Sequence, residues 1–201
     1  MVGLQRPQPV VLTDEDGDAY SSANPAPMQI QNANGATYSV FGTAYAGYAT
    51  PTDMMVLKGS ATKIVRVQTF LMAIGSTSAV LSTVSFIKRS VANSGGTATQ
   101  PTVNKLDSND AAATAVVDLY SAGPTPGAGV TLFNQVSLTA VLTSAPTSFN
   151  ILNAYNVNSI ATGKPIVLRG VAESLAFNWG GAVLPAGFVA NYLAAWTESD
   201  A

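Results

Sequence analysis

The sequence predicts an all-β fold, a β-sandwich or jelly roll of about eight strands with an extended N-terminal arm. The first observation behind it is a series of short apolar runs, cut by glycine and proline turns, that recurs from Asp53 onward. The second is the stretch Pro165 to Glu198, where Leu175, Phe177 and Trp179 alternate with Ser174, Ala176 and Asn178, the period of a strand with one buried face. The third is that one segment alone, Ala111 to Tyr120, has a composition that competes for helix.

In chain order, residues 1–50 read as the arm and 51–201 as the sandwich body. Pro7, Pro9, Pro25 and Pro27, the acidic cluster Asp14 to Asp18 and the small polar run Gln29 to Thr37 discourage both helix and a packed strand pair. Val10 to Leu12 and Ala19-Tyr20 flank the acidic turn as a short exposed hairpin. Tyr38, Phe41, Tyr45 and Tyr48 lie among glycine and alanine, and so many rings in a loose arm point to docking on its own domain or on a neighbouring subunit. Strands are expected at Met54 to Lys58, at Ile64 to Met72 and, favoured by β-branched content, at Val80 to Lys88. In Ile64 to Met72 the even positions alternate with the odd ones.

At Ala111 to Tyr120 alanine favours helix and Asp110 is a fitting cap, but Thr114, Val116, Asp118 and Tyr120 alternate with apolar neighbours, which favours strand. Gly123 to Gly127 ends it, the whole of Gly123 to Gly129 reads as a flexible connection, and Val130 to Leu142 and Phe149 to Tyr155 supply further strands. In the last part, Leu175, Phe177, Trp179, Tyr192 and Trp196 are expected to form a core hairpin around the Pro185-Ala186-Gly187 turn. Val56-Leu57-Lys58-Gly59 and Val167-Leu168-Arg169-Gly170 echo each other, either because one turn chemistry arose twice or because the two segments pair within the sandwich.

Composition narrows function. The 201 residues contain no cysteine and no histidine, which removes thiol nucleophiles, thiolate metal sites, the commonest general base and the commonest zinc ligand. Charged residues are 10% of the chain and the net charge is -2, so nucleic acid is not an expected partner. No run approaches the roughly 18 apolar residues of a spanning helix, nor is a basic, apolar leader present, so no membrane association is expected. Low charge beside 47% hydrophobic residues suits a protein packed into an assembly.

No arrangement of side chains calls for catalysis, and neither cofactor nor metal is expected. The cluster Asp14-Glu15-Asp16-Gly17-Asp18 has calcium-like oxygen spacing, but proline stands at position 25 where the calcium loop needs its bidentate glutamate, which leaves a solvated turn. Asp53, Asp107, Asp110, Asp118, Glu173 and Glu198 are the body's candidates for a carboxylate pair, and spacing selects none of them. Gly123 to Gly129 lacks the lysine and hydroxyl of a phosphate loop. Arg66 and Lys88-Arg89 are expected to face solvent or an acidic neighbour.

Pro165 to Gly170, Glu173, Leu175 to Gly181, Leu184 to Gly187 and Trp196-Thr197-Glu198 together resemble the C-terminus of a group of small virion structural proteins of tailed bacteriophages. Met55 to Gly59, Lys88-Arg89-Ser90 and Asp107 to Ala113 are similar to the middle of that group, and Pro9 to Asp14 resembles the starts of many phage structural proteins. The resemblance implies a non-enzymatic capsid decoration (cement) protein on the outer surface of the phage head, a homotrimer whose partner is the major capsid protein. A head or tail fibre, or a receptor-binding module that recognises a bacterial surface glycan, is the alternative it leaves open. Tyr38, Phe41, Tyr45 and Tyr48 are then the residues expected to meet capsid or a second subunit.

Overall fold

Alternating apolar residues build strands throughout the body, and the computed structural model, which describes residues 35–138, 154–156 and 165–200, contains twelve of them and no helix. They are β1 (Ala36–Tyr45), β2 (Asp53–Lys58), β3 (Lys63–Gly75), β4 (Leu81–Arg89), β5 (Thr97–Thr99), β6 (Asn104–Lys105), β7 (Val116–Ala122), β8 (Gly129–Leu138), β9 (Ala154–Asn156), β10 (Ile166–Arg169), β11 (Ser174–Trp179) and β12 (Val189–Asp200). All described residues fall in the unit Asn34–Ala201. The acidic turn at Asp14 to Asp18, and the expected strand residues from Thr139 to Leu142 and from Phe149 to Asn153, lie outside the described residues.

Two antiparallel sheets pack face to face as a β-sandwich. Sheet I has the order β10-β3-β12-β1-β6, with β9 also on β3, and sheet II the order β5-β7-β2-β11-β4-β8. Since β12 lies along β3 from Val189 opposite Gly75 to Asp200 opposite Lys63, the other edge of β3 is shared by β10 and β9. The inner faces meet in one core holding Tyr38, Val40, Phe70, Met72 and Trp196 from sheet I and Leu57, Val84, Phe86, Leu175, Phe177 and Trp179 from sheet II. Phe70 meets Phe86 edge-on across the sandwich, with ring centroids 5.9 Å apart, and Phe86 meets Phe177 at 5.6 Å. Burial of each such side chain stabilises the fold by roughly 1.5–3 kcal/mol. Both indole N–H groups are satisfied inside: Trp179 donates to the Ala182 carbonyl at 3.1 Å and Trp196 to Glu198 at 2.9 Å.

Glycine corners carry the chain between sheets. β2 passes from sheet II through Gly59 into β3 of sheet I, and β10 passes from sheet I through Gly170 into β11 of sheet II. The corners nest: β11 pairs with β2, β10 pairs with β3, and the Gly59 N–H donates to the Glu173 carbonyl at 2.9 Å. The echoed segments are therefore two halves of one nested unit, although β2 and β10 themselves lie in opposite sheets. Gly59 is required at the contact because a Cβ there would run into the Gly170 carbonyl oxygen. Gly170 has a φ of 71°, in the region glycine adopts most readily.

Four expectations are corrected. β1 lies between β12 and β6, with Tyr38 opposite Trp196, so the body starts well before Asp53 and residues 36–45 are sheet rather than arm. The glycine and alanines among its aromatics make this segment look loose in sequence, but it pairs well where a neighbour supplies the bulk: a Cβ on Gly42 would overlap the Tyr192 ring. The two tryptophans do not share a hairpin, since Trp179 is in sheet II and Trp196 in sheet I, and the connection from Gly180 to Phe188 crosses between them with Phe188 stacked edge-on against Trp179 at 5.7 Å. In β3 the strict alternation breaks at a bulge, where Val67 pairs with Trp196 and Thr69 with Ala195, leaving Gln68 extra. That extra residue turns both Val67 and Phe70 inward. Residues 111–115 form neither helix nor strand, and β7 starts at Val116.

Candidate functional site

The outer face of sheet II is where polar chemistry collects. A second bulge, in β2, pairs Met55 with Phe177 but Asp53 with Asn178, and so places Asp53 on the outer face beside Asn178. Asp53 is fully buried there. Its carboxylate accepts from Arg89 Nη2 at 2.6 Å and Nε at 3.0 Å, from Asn178 at 2.7 Å and from Asn93 at 2.9 Å. The fork of two bonds from a nearly buried guanidinium compensates both charges in a dry environment. The same residues hold a cover over the sheet: Arg89 Nη1 donates to the Gly127 carbonyl, the Gly127 N–H donates to Asn93 Oδ1, and Ser94 and Thr125 exchange backbone bonds. Gly123 to Gly129, expected as a flexible connection, is thus pinned onto the sheet at Thr125 and Gly127.

Beside this cover lies a pocket of about 370 Å³. Its floor is Val56 and Lys58 of β2, Val116 and Tyr120 of β7 and Ser174 of β11, with Ala92 and Asn93 from the cover and Val171 at the rim. Register explains the grouping, since Ser174 stands opposite Lys58 and Lys58 opposite Val116 across three neighbouring strands. Lys58 Nζ pairs with buried Asp118 at 2.5 Å, and Asp118 also accepts from Gln100 at 3.0 Å. Tyr120 is buried, and its phenol is pushed above the usual range, chiefly by desolvation and then by the nearby Asp118 charge. Thr114 at the pocket's edge is turned away toward Glu198, whose carboxylate also takes the Ala115 and Trp196 N–H groups. Ser174 differs from the rest: it is 2% exposed and its Oγ has no hydrogen-bond partner.

The expected docking residues divide. Tyr38 is core, 2% exposed, and donates to the Ala111 carbonyl at 3.0 Å. Tyr45 is half-buried and donates to the Tyr120 carbonyl at 2.6 Å, and burial raises its phenol far above the usual value. Tyr48 packs against the small outer cluster of Val56, Tyr120 and Ala176, and its hydroxyl reaches the Asp53 carbonyl at 3.1 Å. Phe41 alone of the four is well exposed, at 67%. Of the expected core, Leu175, Phe177, Trp179 and Trp196 are fully buried and Tyr192 packs partly buried against them.

The candidate carboxylates are dispersed into separate structural bonds. Glu173 meets Lys88 at 3.2 Å and the Arg169 N–H, Asp110 accepts from the Thr37 N–H, and Asp107 caps the Asn109 N–H. Arg66 bonds Ser199 across β12. Among the described residues no three acidic side chains gather as a metal site. The pocket residues Lys58, Asn93, Ser174 and Val171 were not singled out from sequence, where the only signal was that Ser174, Ala176 and Asn178 occupy the polar side of an alternating strand. Comparisons with protein-family models, with curated proteins and with solved structures find no match to this chain.

Proposed function

We propose that the protein is a structural component of a tailed-bacteriophage virion, a decoration (cement) protein that binds across junctions of the major capsid protein on the outside of the head as a homotrimer. The observation that carries this reading is the outer face of sheet I. Phe41, Leu193 and Leu71 stand in register across β1, β12 and β3, flanked on one side by Ser39, Ala195 and Thr69 and on the other by Asn191 and Ala73. These adjoining rows carry no charged side chain. An uncharged surface with an exposed aromatic on its β1 side has the composition of a protein interface. The sequence resemblance supplies the phage context, and the dispersal of the carboxylates favours a structural role over a catalytic one.

The test is co-sedimentation with heads of the phage that encodes the protein, assembled without it. Wild-type protein is expected to be trimeric by analytical ultracentrifugation and to pellet with the heads. Phe41→Lys, at an exposed position, is expected to keep the unfolding midpoint and weaken association at least about tenfold. A protein that stays monomeric and remains in the supernatant rejects the reading.

A further inference from the structure

We propose that copies of this chain associate through one end of the sandwich, the end that carries no exposed charge among the described residues. β1 runs into β2, β3 into β4 and β11 into β12 through loops 46–52, 76–80 and 180–188, and each loop passes from one sheet to the other. Register sets the three at one end, since Tyr45 stands opposite Ala190 and Val189 opposite Gly75 in sheet I, while Asn178 stands opposite Asp53 in sheet II. The Gly59 and Gly170 corners lie at the other end, and with them Lys63, Lys105, Arg169, Glu173 and Asp200. The three loops contain no charged residue, and Asp53, the first residue of β2, is enclosed and paired with Arg89. The chain also leaves β8 at the uncharged end, at Leu138 opposite Leu81, and the sequence has no charged residue from Leu119 to Gly163.

Hydrogen bonds join the loops into one surface. The Thr77 N–H donates to the Ala186 carbonyl at 3.0 Å, the Ala186 N–H to Ser78 Oγ at 3.1 Å and the Leu184 N–H to the Ala49 carbonyl at 3.2 Å. Leu184 lies so close over Gly47 that a Cβ there would run into its methyl group. A surface ordered in this way meets a partner at little conformational cost. It exposes Leu81 and Val183 among alanine, glycine and threonine. Charge selects the occupant. A surface with net charge repels its own copy, whereas an uncharged one meets a second copy without bringing like charges together. Turning these ends toward one another also leaves the charged end of every copy outward in water. Depletion of charge is what marks the core of an interface from the rest of a protein surface. The number of copies, three, rests on the virion reading above, but the contact itself does not.

The experiment is sedimentation velocity of the full chain across a concentration series. Wild-type protein is expected to form a trimer whose affinity barely responds to added salt. Val183→Glu, at a position 65% exposed, is expected to weaken that association at least about tenfold. Val171→Glu is the matched control, the same change at a position 61% exposed beside the Gly170 corner, and association is expected to hold. Because both side chains face water, both variants are expected to keep the wild-type urea midpoint in dilute solution, where the copies are apart. A wild-type chain that stays monomeric, an association that survives Val183→Glu, equal weakening in both variants, or a steep loss of affinity with salt would overturn the proposal. Association that depends on Val183 in a protein that does not pellet with heads rejects the virion reading and leaves this contact standing. Heads that bind the monomer and release Val183→Glu put the shell on this end and overturn the contact between copies.

Discussion

At the scale of single residues, the buried Asp53 and the exposed Asp200 show how environment decides what an ion pair contributes. Asp200 meets Lys63 at 2.6 Å but is 92% exposed, so its pair is screened and contributes little. Asp53 is enclosed, and removing it strands the Arg89 guanidinium without a counter-charge and takes the shared acceptor from Asn93 and Asn178. Asp53→Ala is therefore expected to lose about 3–5 kcal/mol in urea denaturation, with little dependence on added salt. A loss under 1 kcal/mol would show that water reaches Arg89. Neither the pairing nor its burial was legible in sequence. A bulge at Met54 rotates Asp53 onto the outer face, and one extra residue in a strand leaves no mark that composition can read. By contrast, Leu175, Phe177 and Trp179 were legible as core because alternation is a local property of the strand.

At the scale of elements, strand positions could be read and their partners could not. An apolar run before a glycine, β-branched content and alternation located β2, β4 and β11 respectively to within a few residues, but the sheet each joins depends on where the chain turns a corner. Gly59 and Gly170 were visible as turns, yet nothing local distinguishes a hairpin from a sheet-switching corner, and the same ambiguity put Trp179 and Trp196 in one hairpin. The pocket was hidden for a related reason: Lys58 and Ser174 become neighbours only through the register of β2 and β11. The cover over sheet II makes a sharp prediction at this scale. A Cβ on Gly127 would run into the Val91 carbonyl oxygen and crowd that of Ala92, and the movement needed to relieve it withdraws the Gly127 N–H from Asn93. Gly127→Ala is expected to cost about 1–3 kcal/mol and to speed hydrogen exchange at the Ser94 and Thr125 amides, which hold the cover together. Gly95→Ala is the comparison. Gly95 has open space around it and only a φ of 64° to satisfy, so its cost should stay near ~1 kcal/mol, and equal losses in both variants would refute the clash.

At the scale of the whole molecule, the sandwich offers two different surfaces, an uncharged patch on sheet I around Phe41, Leu193 and Leu71 and a polar, pocketed face on sheet II, with Asp53, Glu198 and Tyr45 among the titratable groups of the described residues that are tied inside. This arrangement sets the response to pH. With no histidine, no side chain has its ordinary titration between about pH 5 and 8, so stability is expected to be flat there. On the acid side, the hydrogen bond from Lys63 lowers Asp200 below its usual value. Its small contribution is present above the ordinary carboxylate range and fades as pH falls through the lowered value. The alkaline side is governed by tyrosine. Desolvation raises Tyr45 most, and Tyr38, Tyr120 and Tyr192 also rise, mainly for the same reason. A group whose folded value lies above its unfolded value contributes stability that is complete below the unfolded value, about pH 10 for tyrosine, and lost as pH climbs through the folded one. Unfolding should therefore release protons above about pH 10, and the unfolding free energy from urea should fall there by up to ~1.4 kcal/mol per pH unit for each buried phenol that ionises only on unfolding. The check is a urea series across that range with tyrosinate absorbance recorded in parallel. If the folded protein already shows the tyrosinate signal of all seven tyrosines near pH 10, the phenols of Tyr45 and its neighbours are open to water and the outer cluster beside the pocket is not closed.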